Sequence, residues 1–513
     1  MSLTRRKLLR LASGAALALP VASALTGCQD EGGSTGALRK SGGKAPTPFK
    51  VPLPLPPVLE PSRTEGGVDY YDIVQRPAQV EIVPGTKTEI WGYNGLFPGP
   101  TLSTRSGRPI VVRHANQLQV PVAVHLHGGK TPPEHDGFPT DLILPRSGWE
   151  GGGHDAHGGD TAQGSREYRY PLQQPAATLW YHDHRMDFTG PQVYFGLAGF
   201  HLVHDDEEEA LPLPKGERDI PLMICDRSFT ADGAFDYPSL DPGLKGEHGV
   251  TEDFMEGVLG DVILVNGAPW PVLEVTNTRY RFRLLNASNA RRYRLALDPG
   301  PQSGSAFVQV GSDVGLLGRP IGHDEIQLAS AERFDVVVDF SKFPVGTKID
   351  MINKLDDGDA GKVMRFHVVR KASDESQVPS KLVDFEPLSR SSATVTRKFD
   401  FNQRSDDGWD INGQMYDPQR DDAVPELGAT EIWRFDGDAH HPIHLHLAHF
   451  QVLSRNQNAP GPYDSGWKDT IDLQSGKEME IIARFTGYRG RYVFHCHNLE
   501  HEDMGMMANF RVK

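Results

Sequence analysis

Cysteine is scarce. Three in 513 residues cannot cross-link a chain of this length, so its cores must be hydrophobic. Positive charge is in deficit, with 53 Lys and Arg against 68 Asp and Glu, a net charge of −15 at neutral pH. That balance excludes a nucleic-acid partner, which would need clustered Lys and Arg. Long apolar runs are missing as well. No internal stretch approaches the ~20 residues of a membrane-spanning helix, so a multi-span membrane protein is excluded. A helical bundle is disfavoured too, because 54 Gly and 39 Pro imply many turns and short strands. What remains, 38% hydrophobic and 9% aromatic residues, is the make-up of a globular protein. The length suits about three domains of roughly 150 residues. The unusual abundance is histidine, at 21 residues, and its placement decides the reading.

Residues 1–28 read as an export signal. Arg5-Arg6 precedes an apolar stretch, Leu11 to Gly27, that Gly14 and Pro20 interrupt. The arginine pair resembles a twin-arginine signal; an ordinary secretory signal is the alternative. Leu25-Thr26-Gly27-Cys28 resembles a lipobox, which would attach the protein to a membrane through a lipid on Cys28; a plain cleavage region is the alternative. Either way the mature protein is expected outside the cytoplasm, in the periplasm or at the cell surface. Residues 29–65, with Pro52-Leu53-Pro54-Leu55-Pro56-Pro57, read as a Pro/Gly-rich tether.

Beyond residue 66 one plan recurs three times. Tyr93-Asn94-Gly95, Val265-Asn266-Gly267 and Ile411-Asn412-Gly413 each carry an Asn-Gly turn signal and lead, past a proline, into an alternating apolar run. Short β-branched and aromatic runs between turns predict β-sandwich or barrel domains, over 66–208, 209–375 and 390–513. The first and third copies agree further. Asn94 to His125 is 31 residues and Asn412 to His444 is 32, each ending on His-Leu-His, and a second His-x-His follows in both. The middle copy has no such pair and reads as a spacer.

In a strand, residues i and i+2 share a face. His125 and His127, His182 and His184, His444 and His446, and His495 and His497 should therefore project in pairs, eight imidazoles in all. Imidazole suits copper, zinc, iron and nickel. Cys496 faces away from His495 and His497, so it serves a different site. With His501 five residues on and Met506 ten, it offers a thiolate, an imidazole and a weak thioether, most of a blue-copper set. His441 best completes the set because Pro442 fixes the chain after it. His440 is an adjacent alternative, and Met504 an alternative to Met506. A four-ligand zinc site would be overfilled by so many donors, and a nucleophilic Cys496 would leave the His-x-His pairs unexplained.

These segments, His125-Leu126-His127-Gly128, His182-Asp183-His184, His441-Pro442-Ile443-His444-Leu445-His446 and His495-Cys496-His497 through His501 to Met506, resemble the four copper motifs of the multicopper oxidases. The group of bacterial spore-coat laccase, bilirubin oxidase and phenoxazinone synthase is most similar. The resemblance implies an all-β chain of three consecutive cupredoxin-like Greek-key domains and four copper ions. His441, Cys496, His501 and Met506 would hold the type 1 copper, and His125 and His444 the type 2 copper. His127, His182 and His497 would hold one type 3 copper; His184, His446 and His495 would hold the other. It also implies acids beside the cluster, matching Asp136 and Glu502. The plain alternatives are a turn residue before Gly137 for Asp136 and a solvated surface charge for Glu502.

The function implied is a laccase-like oxidation of phenols, aromatic amines or bilirubin-like pigments, one electron at a time. Four electrons then take O2 to water. A metallo-oxidase of Fe(II), Mn(II) or Cu(I) is the alternative; the scattered placement of most of the 11 Met counts against Cu(I). A non-enzymatic structural relative would have lost its ligands, and here all twelve positions are filled. No obligatory protein partner is evident. His154 and His157 lie in a Gly-rich loop, Cys225 reads as a buried small hydrophobe, and the acidic run 205–209 as solvent-facing.

Overall fold

The three Asn-Gly signals fold alike. The computed structural model describes residues 33–149, 158–404 and 408–513; the export signal, Cys28, His154 and His157 lie outside them. Asn94 and Gly95, Asn266 and Gly267, and Asn412 and Gly413 all take positive φ, the type I′ conformation that suits Asn-Gly. Each asparagine then repeats one pair of bonds. Asn94, Asn266 and Asn412 donate their backbone N–H to the carbonyls of Val74, Met223 and Asp400. Their side-chain oxygens accept the N–H of the same three residues at 2.8–2.9 Å.

Each copy is built from two sheets. In the first, Ser165–Tyr170, Ile110–Asn116 and Val68–Val80 form one sheet; Gly99–Arg105, Ala198–His204, Ala177–Asp183 and Val124–His127 form the other, in that order. The third copy repeats this with a five-stranded sheet and a four-stranded one ordered Thr470–Leu473, His441–Leu445, Gly490–Cys496, Met507–Val512. The middle copy has sheets of seven and five strands between Asp219 and Arg370. Among the described residues no helix is long and apolar enough to cross a membrane.

The four-stranded sheets place the histidines. In the first copy His125 lies directly across from His182; in the third, His444 lies across from His495. Matched spacing in the sequence thus becomes matched antiparallel register, which fixes which side chains share a face.

Two expectations need correction. The Pro/Gly-rich segment is not a free tether from Ser34 onward. Ala37–Arg39 pairs in parallel with Val258–Gly260, Arg39 forks onto Asp236 at 2.8 and 2.9 Å, and the amides of Leu53 and Leu59 donate to Val272 and Thr101. An extended backbone leaves its polar groups free to pair with an exposed sheet edge, so composition alone does not separate a tether from a strap. The acidic run 205–209 is not wholly solvent-facing either. Glu208 is buried, and Arg281 and Arg283 donate to it at 2.7 and 2.9 Å. Cys225 is buried, as expected.

Candidate metal centre

Eight buried imidazoles from the first and third copies converge. Nitrogens of His127, His182 and His497 lie within 4.8 Å of one another, and so do those of His184, His446 and His495. His125 Nε2 faces His444 Nε2 at 3.3 Å, and His184 Nε2 faces His495 Nε2 at 3.2 Å. Two neutral imidazoles can share an N–H···N bond, but His125 and His444 both spend their N–H on carbonyls through Nδ1, so their Nε2 lone pairs face each other, and a shared cation explains that approach.

The outer nitrogens fix which atom is left to bind. His125 Nδ1 donates to the Asp136 carbonyl at 2.6 Å, His444 Nδ1 to the Asp469 carbonyl at 2.9 Å and His182 Nδ1 to the Asp183 carbonyl at 2.8 Å. Each of these rings therefore presents Nε2 inward. His127 is turned the other way, with Nε2 directed at Asp469 Oδ1 and Thr470 Oγ1 at 3.2 and 3.0 Å, leaving Nδ1 inward. His127 Nδ1, His182 Nε2, His184 Nδ1, His446 Nε2 and both nitrogens of His497 are buried without a hydrogen-bond partner. Burial holds His125, His127, His182, His446 and His497 well below the ordinary histidine range. They are thus neutral, with lone pairs available, the form a metal needs.

Both acids stand against these rings. Asp136 is fully buried; its Oδ2 accepts from His446 Nδ1 at 2.6 Å and its Oδ1 from Thr131 at 3.1 Å. Burial raises its carboxyl to about 8. Asp136 also precedes a tight turn, since Gly137 has φ +78° and a Cβ there would meet the Val124 carbonyl at 2.2 Å. Glu502 is buried, not a surface charge. It lies 2.9 Å from His495 Nδ1, whose N–H is directed at the Cys496 carbonyl, and 3.5 Å from His184 Nδ1.

The second cluster sits one peptide away. Cys496 Sγ is 3.5 Å from His441 Nδ1 and 3.6 Å from His501 Nδ1, and those nitrogens are 3.2 Å apart. His501 Nε2 donates to the Glu256 carbonyl at 3.2 Å, and His441 Nε2 points at Asp438 at 3.4 Å. Both rings therefore present Nδ1 to the sulfur. His440 turns instead toward Asp472, 3.9 Å away. Met504 packs on Gly249, whereas Met506 is fully buried and its backbone is bonded to both Cys496 and His501. Burial pushes the Cys496 thiol well above its usual range, so only a neighbouring cation would make it a thiolate here.

Sequence reasoning missed the outer partners. Asp469, Thr470, Asp438 and Glu256 had no spacing signal, and neither had Trp409, which stacks on His501 at 3.6 Å. The middle copy is also more than a spacer. It supplies the Glu256 carbonyl, and its Arg333 donates to Asp469 Oδ1 at 2.8 Å.

The donor set fits copper: buried neutral imidazoles with unpartnered nitrogens, and a Cys-His-His group whose backbone is bonded to that of buried Met506. Comparison with known proteins agrees. Residues 75–208 and 388–513 match family models described as multicopper oxidase. A laccase of Bacillus subtilis is 36% identical over 90% of this chain and 97% of its own length. A bilirubin oxidase of Albifimbria verrucaria is 34% identical over 90% and 81%. The crystal structure of a laccase from Pediococcus acidilactici superposes with a TM-score of 0.79 at 32% identity, covering 93% of this chain and 95% of that one. The chain belongs to the multicopper oxidase family. It is a laccase-like, copper-dependent oxidoreductase of three cupredoxin-like domains, whose cofactors are one type 1, one type 2 and two type 3 coppers.

Proposed function

We propose that the chain oxidises small organic donors such as phenols, aromatic amines or bilirubin-like pigments, with O2 as acceptor. The convergence of eight imidazoles one peptide from a Cys-His-His group carries this reading. A relative named bilirubin oxidase and two named laccases support the donor class. His441, Cys496, His501 and Met506 would hold the type 1 copper, and His125 and His444 the type 2. His127, His182 and His497 would hold one type 3 copper, and His184, His446 and His495 the other. When bound, the coppers supply one-electron oxidation of the donor and four-electron reduction of O2.

The chain's own groups do the rest. Cys496 lies between His495 and His497, so only its backbone separates the two clusters. Asp136 Oδ2, against His446 Nδ1, and Glu502 Oε2, beside His495 Nδ1, are positioned to hold protons that water formation consumes. Burial of all eight imidazoles keeps bulk water from the cluster.

Export by the twin-arginine route is part of the proposal, supported by Arg5-Arg6 and the apolar stretch after it. Lipid attachment at Cys28 is supported by Leu25-Thr26-Gly27-Cys28. The mass of the mature N-terminus tests both. The oxidase reading is tested on copper-loaded protein by metal content, the visible spectrum and O2 uptake with a phenol. Four coppers per chain, an intense blue band and O2 consumption without peroxide are expected. A blue protein that leaves O2 untouched would overturn it.

A further inference from the structure

A cavity of about 690 Å³ lies where the second and third domains meet, and its lining includes no metal ligand. Its size is that of a small-molecule site, and a domain boundary is where such sites form. Three segments build it. In the second domain Gln309 pairs with Ile321 and Gly311 with Leu316. Residues 317–320 therefore bulge opposite Val310, a device that re-aims side chains. Leu382 fastens the interdomain segment to that bulge, donating its N–H to the Gly318 carbonyl at 3.0 Å. Gln451 of the third domain fastens it from the other side. Its side chain accepts the Leu388 N–H at 2.8 Å and donates to the Glu386 carbonyl at 3.0 Å.

The walls are mostly aliphatic, with Leu317 and Ile321 from the bulged strand, Val383 from the interdomain segment, and Val452 and Leu453 from the third domain. Phe385 also lines the cavity and is left 36% exposed. Most charges around this hollow are already spent. Asp464 gives both oxygens to Arg455 at 2.6 Å, and Lys381 pairs with Asp384 at 2.6 Å. Arg319 is the exception. It is exposed at the rim and, among the described residues, pairs with no acid, in a chain where acids outnumber cations 68 to 53. An apolar hollow beside one uncommitted guanidinium complements a hydrocarbon ending in a carboxylate. The walls take the hydrocarbon out of water, and arginine holds a carboxylate through two parallel N–H···O bonds. We propose that this cavity binds a free medium-chain aliphatic carboxylate, with its chain in the hollow and its head on Arg319. Such an acid offers the type 1 copper no electron, so it is a ligand of the chain and not a donor.

Dodecanoate below its micelle concentration tests this by calorimetry on copper-loaded protein. One should bind per chain. Arg319→Gln should weaken binding about fivefold, the scale of an exposed ion pair. Arg319→Glu, which sets like charge against the head, should abolish it, and so should Val383→Trp, which fills the hollow. Both Arg319 variants change an exposed side chain that holds nothing else, so O2 uptake with a phenol should match wild type. Dodecyltrimethylammonium, with the same chain and the opposite head, should not displace dodecanoate. The proposal is overturned if wild type binds no dodecanoate, or if wild type and Arg319→Glu bind it equally, which would put it elsewhere on the chain. Equal competition from the ammonium would also overturn it, since the carboxylate would then play no part. A wild type that binds none and sediments as a dimer, which Arg319→Glu splits, would assign the hollow to a second copy of the chain instead.

Discussion

Cys496 is the residue on which both clusters depend, since its sulfur faces one pair of imidazoles and its chain neighbours face the other six. Cys496→Ser keeps the shape and removes the soft ligand. The expected outcome is loss of the blue band and of one copper per chain, with the remaining coppers retained, measured by absorption and metal analysis. Glu502→Gln and Asp136→Asn keep size and burial while removing an acid. Each should lower kcat about 100-fold, the usual scale for a lost proton-transfer group, with copper content unchanged; a fall in copper instead would mean the acid only orients its histidine. Asp136 and Glu502 were legible only through family resemblance. In sequence terms one is a turn residue and the other a solvated surface charge, and only burial against His446, His495 and His184 separates them from that description.

At the scale of elements, the strap holds the site from outside. Gly36 has φ +139°, and a Cβ there would meet the Gly257 carbonyl at 2.5 Å. Gly36→Val should therefore cost about 1–3 kcal/mol, read by thermal unfolding. The blue band should shift as well, because Glu256, next in the chain, holds His501. Glu480 ties the first residues of the third domain to its sheet. Arg390 donates to it at 2.5 Å, Arg434 at 2.7 Å and Ser454 at 2.9 Å. The Arg390 bond chiefly, with burial opposing, lowers its carboxyl from 4.5 to about 2. A depressed carboxyl gives stability that is full above its unfolded value and is lost as pH falls through the folded one. Glu480→Gln should thus flatten the stability profile between pH 4.5 and 2, followed by denaturant unfolding. The strands themselves were readable from alternation and Asn-Gly turns. The strap was not, because its bonds go to edges that exist only once other strands have formed.

For the whole molecule, the middle domain acts on a cluster to which it gives no ligand. Arg333 and Asp469 are both fully buried. Arg333→Met would strand the carboxylate beside His127, a loss of about 3–5 kcal/mol, with an altered type 2 signal in electron paramagnetic resonance. Copper removal should lower the unfolding midpoint, because metal bound only by the folded chain stabilises it by mass action. Calorimetry of apo and copper-loaded protein checks this, and equal midpoints would argue against a shared site. The pairing of first and third domains was foreseeable from matched histidine spacing; the middle domain's part was not, since Arg333 and Glu256 carry no motif.

His184 and His495 touch across 311 residues of chain. During synthesis the first half of the cluster is complete long before the second exists. A metal ion captured early would meet only half of its ligands, and could be surrendered or replaced while translation continues. Final occupancy is therefore settled late, by whichever ions surround the finished chain, and the supply of copper at that moment, more than the ligands' intrinsic preference, governs what the protein carries.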